Sequence, residues 1–264
     1  MRAVRVTSTA GTTRTTAPGF KGALFFEWTK FMSLRSTRWT YGASGLVTVA
    51  GAVFVGVSGS LQPDDTVLGG SLTLGVISLM IAGVVGALVI CGEYTGGTIA
   101  STLVAVPRRS RVIAAKAALL SALLYAVSLA SCALAYVLGN AILADGVYAQ
   151  GEPFPALFGI AGLFSVVGVL GMAVGVLLRH SAGSVAAVIA LLLLPSLLGP
   201  LFGDARRWVV GATPTAALEK LTQTSDASPE AVGTLGAWPS LWLVAGYTAL
   251  LLLAAAWRLG RRDA

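Results

Sequence analysis

Six long apolar runs, separated by short polar breaks, leave this chain few folds to choose from. They lie at roughly 40–58, 71–91, 113–142, 156–178, 182–202 and 238–257. A helix crosses the hydrocarbon of a bilayer with about 20 residues at a rise of about 1.5 Å each. A membrane interior offers no water to the backbone, so each run must satisfy its own amides as a helix. The expected fold is therefore an all-α membrane protein with six transmembrane helices. Only 11% of the 264 residues are charged, against about 25% in soluble domains, so residues 20–264 are expected to form a single transmembrane domain. The third run is longer than a span needs, and its first turns are expected to protrude or to let Lys116 snorkel to the surface. The fifth contains Pro195 and Pro200, which predicts a kink or an early break. Only Arg179-His180-Ser181 divides the fourth run from the fifth, which predicts a tight antiparallel pair.

The charges orient these spans. With the N-terminus inside, fifteen of the eighteen Lys and Arg residues fall on the cytoplasmic side, while eight of the eleven acidic residues fall outside. The bias of basic residues towards cytoplasmic loops then places both termini in the cytoplasm. It also accounts for the net charge of +7 without nucleic acid, since the chain shows no basic face interleaved with aromatics. Residues 1–19 are rich in Thr and Ser and read as a disordered cytoplasmic tail. Residues 20–38 read as a helix lying in the membrane interface, with Phe20, Leu24, Trp28 and Phe31 stacked on one face. That stripe is interrupted by Lys21, Glu27 and Arg35. Outside, residues 203–237 form one long segment too apolar for a plain solvated loop. Either small helices fold back against protein, or the segment is an ordinary exterior loop.

Several chemistries are disfavoured. Cys91 and Cys132 match no metal or redox spacing and read as small side chains in packed helices. His180 is the only histidine. No phosphate-binding loop of the G-x-x-x-x-G-K-[ST] type occurs. The span centres are essentially free of ionisable groups, which argues against an ion-coupled transporter. Ser121, Ser128, Ser131 and Ser165 are expected to bond backbone, and the pair Gly171 and Gly175 to let two helices approach closely within the monomer.

The break between the second and third runs is different. Glu93 stands where the second span leaves the membrane, and Gly96-Gly97-Thr98 permits a change of direction. Ile99–Leu103 reads as a short helix that Pro107 ends. Arg108, Arg109 and Arg111 then face anionic headgroups or the carboxylates of a partner. Glu93, Gly97-Thr98, Leu103, Pro107, Arg109 and Lys116, taken with six spans and an amphipathic N-terminal segment, resemble the pattern of type-2 ABC transporter permeases. The resemblance runs from about residue 20 onwards.

It implies the permease subunit of an ATP-driven exporter, working by alternating access. A coupling helix at about 95–106 would receive force from a separate cytoplasmic ABC ATP-binding subunit. On that reading Glu93, Gly96, Gly97, Thr98, Leu103, Pro107, Arg108 and Arg109 contact the partner. The chain would be no enzyme and hold no cofactor; ATP and Mg would bind the partner. A second permease copy would complete the pathway, a homodimer in preference to a heterodimer. The Arg-rich, Lys-poor usage, 14 Arg against 4 Lys, suggests a bacterium, and hence its plasma membrane. The competing expectation is a scaffold or sensor subunit that anchors a cytoplasmic partner and transports nothing.

Overall fold

The computed structural model describes residues 19–33, 35–59, 61–62, 64–97, 109–143, 148–225 and 227–261. The expected tail lies outside these apart from Gly19, and so do Thr98, Leu103, Pro107, Arg108 and most of the expected coupling helix. The helices are α1 (Phe20–Ser33), α2 (Arg35–Ser58), α3 (Val67–Ser71), α4 (Gly75–Thr95), α5 (Arg109–Ile142), α6 (Pro153–Leu178) and α7 (Ser181–Leu198). A 3-10 turn at Gly199–Ala205 leads to α8 (Arg206–Val209), α9 (Pro214–Thr222), α10 (Pro229–Val232) and α11 (Ala237–Arg261). Six helical stretches are long and apolar enough to cross a membrane. Among the described residues there is no strand, only an isolated bridge between Thr66 and Ala149.

The boundaries shift where local bonding intervenes. The expected helix 20–38 is divided, with α1 ending at Ser33 and α2 beginning at Arg35. The second span runs Gly75–Thr95 rather than 71–91. Residues 67–71 are taken up by α3, whose start is capped by Thr66 Oγ1 accepting from Gly69 N at 3.0 Å. Its last carbonyls bond the amide of Leu72, which turns the chain before α4 begins. Pro195 is accommodated inside α7, and regular α-helix gives way only at Gly199–Ala205.

α6 is the centre of the bundle and packs against α4, α5, α7 and α11. It buries Ile160, Leu163, Phe164, Val167, Leu170 and Met172. Glycine sets its closest contact. A Cβ on Gly86 of α4 would stand 1.7 Å from the Gly168 carbonyl oxygen of α6, and one on Gly171 would stand 1.9 Å from that of Gly83. Backbone therefore touches backbone along this seam, the geometry that small residues permit between helices in lipid. Gly175 continues the seam against Ile90 and Ala87. The Gly171 and Gly175 pair is thus used within the chain.

At the far end of the bundle α9 accounts for the apolar 203–237 segment. Its Ala216, Ala217, Leu218 and Leu221 are buried, with Leu218 against Gly75 of α4 and Leu221 against Gly159 of α6. Thr213 caps its N-terminus, accepting from Ala216 N at 3.1 Å, and Pro214 takes the first helical position, where no amide is needed. The Gln223 side chain, just beyond its C-terminus, clasps the backbone of Glu152: it accepts from Glu152 N at 3.0 Å and donates to Glu152 O at 3.2 Å.

Candidate functional site

The polar residues of the sequence converge at the end of the bundle where α4 gives way, across residues 96–108, to α5. Glu93 sits in the last turn of α4 and Lys116 in the third turn of α5, so the antiparallel hairpin brings them side by side. Lys116 Nζ donates to Glu93 Oε1 at 2.7 Å. The same ammonium donates to Glu27 Oε2 of α1 at 2.5 Å. Lys30, one turn along α1, also donates to Glu93 Oε1. Two carboxylates and two ammonium groups from three helices thus form one charge-balanced network.

The network is deeply buried. Glu27 is 6% exposed, Glu93 4% and Lys116 3%. Charges taken out of water are tolerated only when paired and hydrogen-bonded. The lysine expected to snorkel therefore does the opposite, and Glu27, which interrupts the apolar stripe, forms the contact that holds α1. Below it, Ala23 packs with Val112 and Ala115 of α5 in a small apolar cluster. Phe31 meets Tyr41 of α2 edge to face, with ring centroids 5.3 Å apart.

The remaining expected site residues are distributed as follows. Phe31 and Leu24 are half-buried, but Phe20 and Trp28 are exposed, together with Phe25, Phe26 and Met32. α1 therefore buries its Ala23 and Glu27 side and turns large apolar side chains outward. Gly96 caps α4, its amide bonding the Gly92 carbonyl at 2.9 Å. Gly97 follows at φ +65°, a left-handed conformation that favours glycine. Arg109 is the first residue of α5. Nearby, Arg179 ends α6 in a left-handed conformation with its guanidinium 5.5 Å from the centre of the Tyr94 ring. His180 caps α7, Nδ1 accepting from Gly183 N at 3.0 Å. The short link between the fourth and fifth spans is thus held against the same end of α4.

A cavity of about 580 Å³ opens beside the network. Its polar lining includes Glu27, Lys30, Thr40, Tyr41, Glu93 and Lys116; its apolar lining includes Val89, Leu119, Leu120 and Leu123. Glu27 Oε1 and Glu93 Oε2 are buried without a hydrogen-bond partner. Inspection of the sequence singled out Glu93 but missed Glu27, Lys30 and Lys116 as its partners. The available signal was a lone charge of opposite sign at each facing end of two consecutive spans.

Ser121, Ser131 and Ser165 bond backbone, with Ser165 Oγ donating towards the carbonyls of Ser121 and Ala161, each at 3.1 Å. Cys91 and Cys132 are both buried and free. Among the described residues no cluster of His, Cys, Asp and Glu could hold a metal ion. No family model matches the chain, and neither a curated protein nor a solved structure matches it.

Proposed function

We propose that this chain is the permease subunit of an ATP-driven exporter, coupled to a separate cytoplasmic ATP-binding subunit. The observation that carries the reading is the buried network of Glu27, Lys30, Glu93 and Lys116. It joins α1 to both helices that flank residues 96–108, the segment whose residues resemble the coupling region of type-2 ABC permeases. A push on that segment would move the end of α4, the start of α5 and α1 together. α1, with Phe20, Phe25, Phe26, Trp28 and Met32 outward, suits the headgroup level of a membrane, where aromatic side chains settle. In this reading the pathway lies between two copies of the chain in a bacterial plasma membrane, and ATP and Mg bind the partner.

The test is to purify the chain from its native membrane and assay for an accompanying ATPase. Alanine replacements over residues 97–103, and separately Glu93→Gln, are then compared for assembly and ATP turnover. Replacement of 97–103 is expected to abolish assembly, and Glu93→Gln to leave assembly intact while lowering transport-linked turnover severalfold. Unchanged assembly and turnover in both would remove the coupling assignment. An ATPase that needs the chain for localisation but shows no substrate-stimulated turnover would instead mark an anchoring subunit.

A further inference from the structure

α1 covers a space that it does not fill. Glu27, Lys30, Phe31 and Ser33 of this helix line the cavity of about 580 Å³, and its other lining residues belong to α2, to α5 and to α4 with its cap Gly96. The hold on α1 is mostly charge. Of its own residues only Ala23 and Glu27 are buried, and Ala23 brings a single methyl to the cluster with Val112 and Ala115. Phe31 adds the edge-to-face contact with Tyr41. Among the described residues its ion pairs are Glu27 with Lys116 and Lys30 with Glu93. Phe25, Phe26, Trp28 and Met32 are exposed, so the large apolar side chains are not what binds α1 to the bundle.

We propose that α1 is a releasable strap, which swings off the bundle as a unit and opens the cavity between α2, α4 and α5 to water. The charge network is divided to allow this. Glu27 and Lys30 leave with α1, and they stand three positions apart on one helix, close enough to pair with each other. Glu93 and Lys116 stay behind, already bonded to each other at 2.7 Å. Each half carries one acid and one base, so opening strands no charge in the bundle. Parting the two ties also returns their ions to water, and a buried ion pair gains little net stability once that lost hydration is counted. Apolar burial, which would fix the helix in proportion to area, is small on its bundle side. The outward aromatic face settles at headgroup level, so α1 leaves the bundle without carrying those side chains into water. The strap is built from this chain alone and operates with or without an ATP-binding subunit.

The experiment uses the full-length chain in lipid nanodiscs, with Cys91 and Cys132 replaced by alanine and one reporter cysteine added. Leu120→Cys reports the cavity, where Leu120 is 2% exposed. Leu163→Cys, on α6 where Leu163 is 0% exposed, reports the bundle core. The rate of modification by a charged, membrane-impermeant thiosulfonate is measured at each. Leu120→Cys is expected to react at a measurable rate and Leu163→Cys to stay protected. Glu27→Gln weakens one tie and keeps the Glu93 and Lys116 pair. It should speed the reaction at Leu120→Cys by at least about tenfold, the scale of a lost charged hydrogen bond, with Leu163→Cys still protected. Lys30→Gln, which cuts the other tie, should act in the same direction. An unreactive Leu120→Cys, or a rate that neither variant changes, would make α1 a fixed part of the wall and overturn the strap. Equal acceleration at both reporters would mean that the whole bundle loosens, and would overturn it too.

Discussion

Lys116 is the residue on which the candidate site turns, because among the described residues it is the one that touches both glutamates. Lys116→Met keeps the volume but, among the described residues, leaves Glu27 without a cation and Glu93 with Lys30 only. Removing one partner from a buried ion pair costs about 3–5 kcal/mol, and this variant is expected to show a loss of that order in detergent unfolding. Adding Glu27→Gln removes the stranded charge and should recover a large part of the loss, since Glu93 keeps Lys30. Strictly additive effects of the two changes would show that the residues do not share one network. Little of this was legible in the sequence. Glu27 lies 66 positions from Glu93 and 89 from Lys116, and nothing in a linear pattern says that three helices will meet there. Glu27 instead read as a flaw in an apolar stripe, because periodicity identifies a helix face without identifying what covers it. Glu93 was legible, being a lone carboxylate at the end of a long apolar run.

At the level of the helices, length and hydropathy were enough to locate the six spans, because a bilayer demands about 20 apolar residues whatever the sequence is. Their ends were less legible. The second span begins four residues late because Thr66 nucleates the separate helix α3, a side-chain cap that outweighs continuous hydropathy. The apolarity of 203–237 was visible, but its cause, α9 packed against α11 and α6, lies in helices that the segment's own pattern does not identify. Glycine had positional meaning that one residue pair can test. Gly86→Ala places a methyl 1.7 Å from the Gly168 carbonyl oxygen, so α4 and α6 must separate. The cost should exceed the ~1–3 kcal/mol of ordinary overpacking and appear as loss of monodisperse protein. Gly162→Ala on α6 meets nothing within 4 Å and should raise stability by up to about 1 kcal/mol through helix propensity. If both variants were equally stable, the backbone seam would not be the close contact that orders the bundle.

For the whole molecule, the two ends of the bundle are built differently. One end gathers the charge network, the Arg179 and Tyr94 contact and Arg111. The other carries short acidic links, the Gln223 clasp on Glu152 and Ser225 N bonded to Asp65 Oδ1 at 2.9 Å. This polarity matches the distribution expected of a protein whose basic end faces the cytoplasm. Site-specific labelling tests that orientation. Cys91 and Cys132 are first replaced by alanine, both being free. Single cysteines are then introduced at the exposed positions Lys21, Gln150, Glu230 and Arg258. A membrane-impermeant maleimide applied to intact cells should label Gln150→Cys and Glu230→Cys, and reach Lys21→Cys and Arg258→Cys only after lysis. Labelling of Lys21→Cys in intact cells would invert the molecule. The network and the 96–108 segment would then face outward, beyond the reach of any cytoplasmic ATPase, and the exporter reading would fail whatever the chain copurified with.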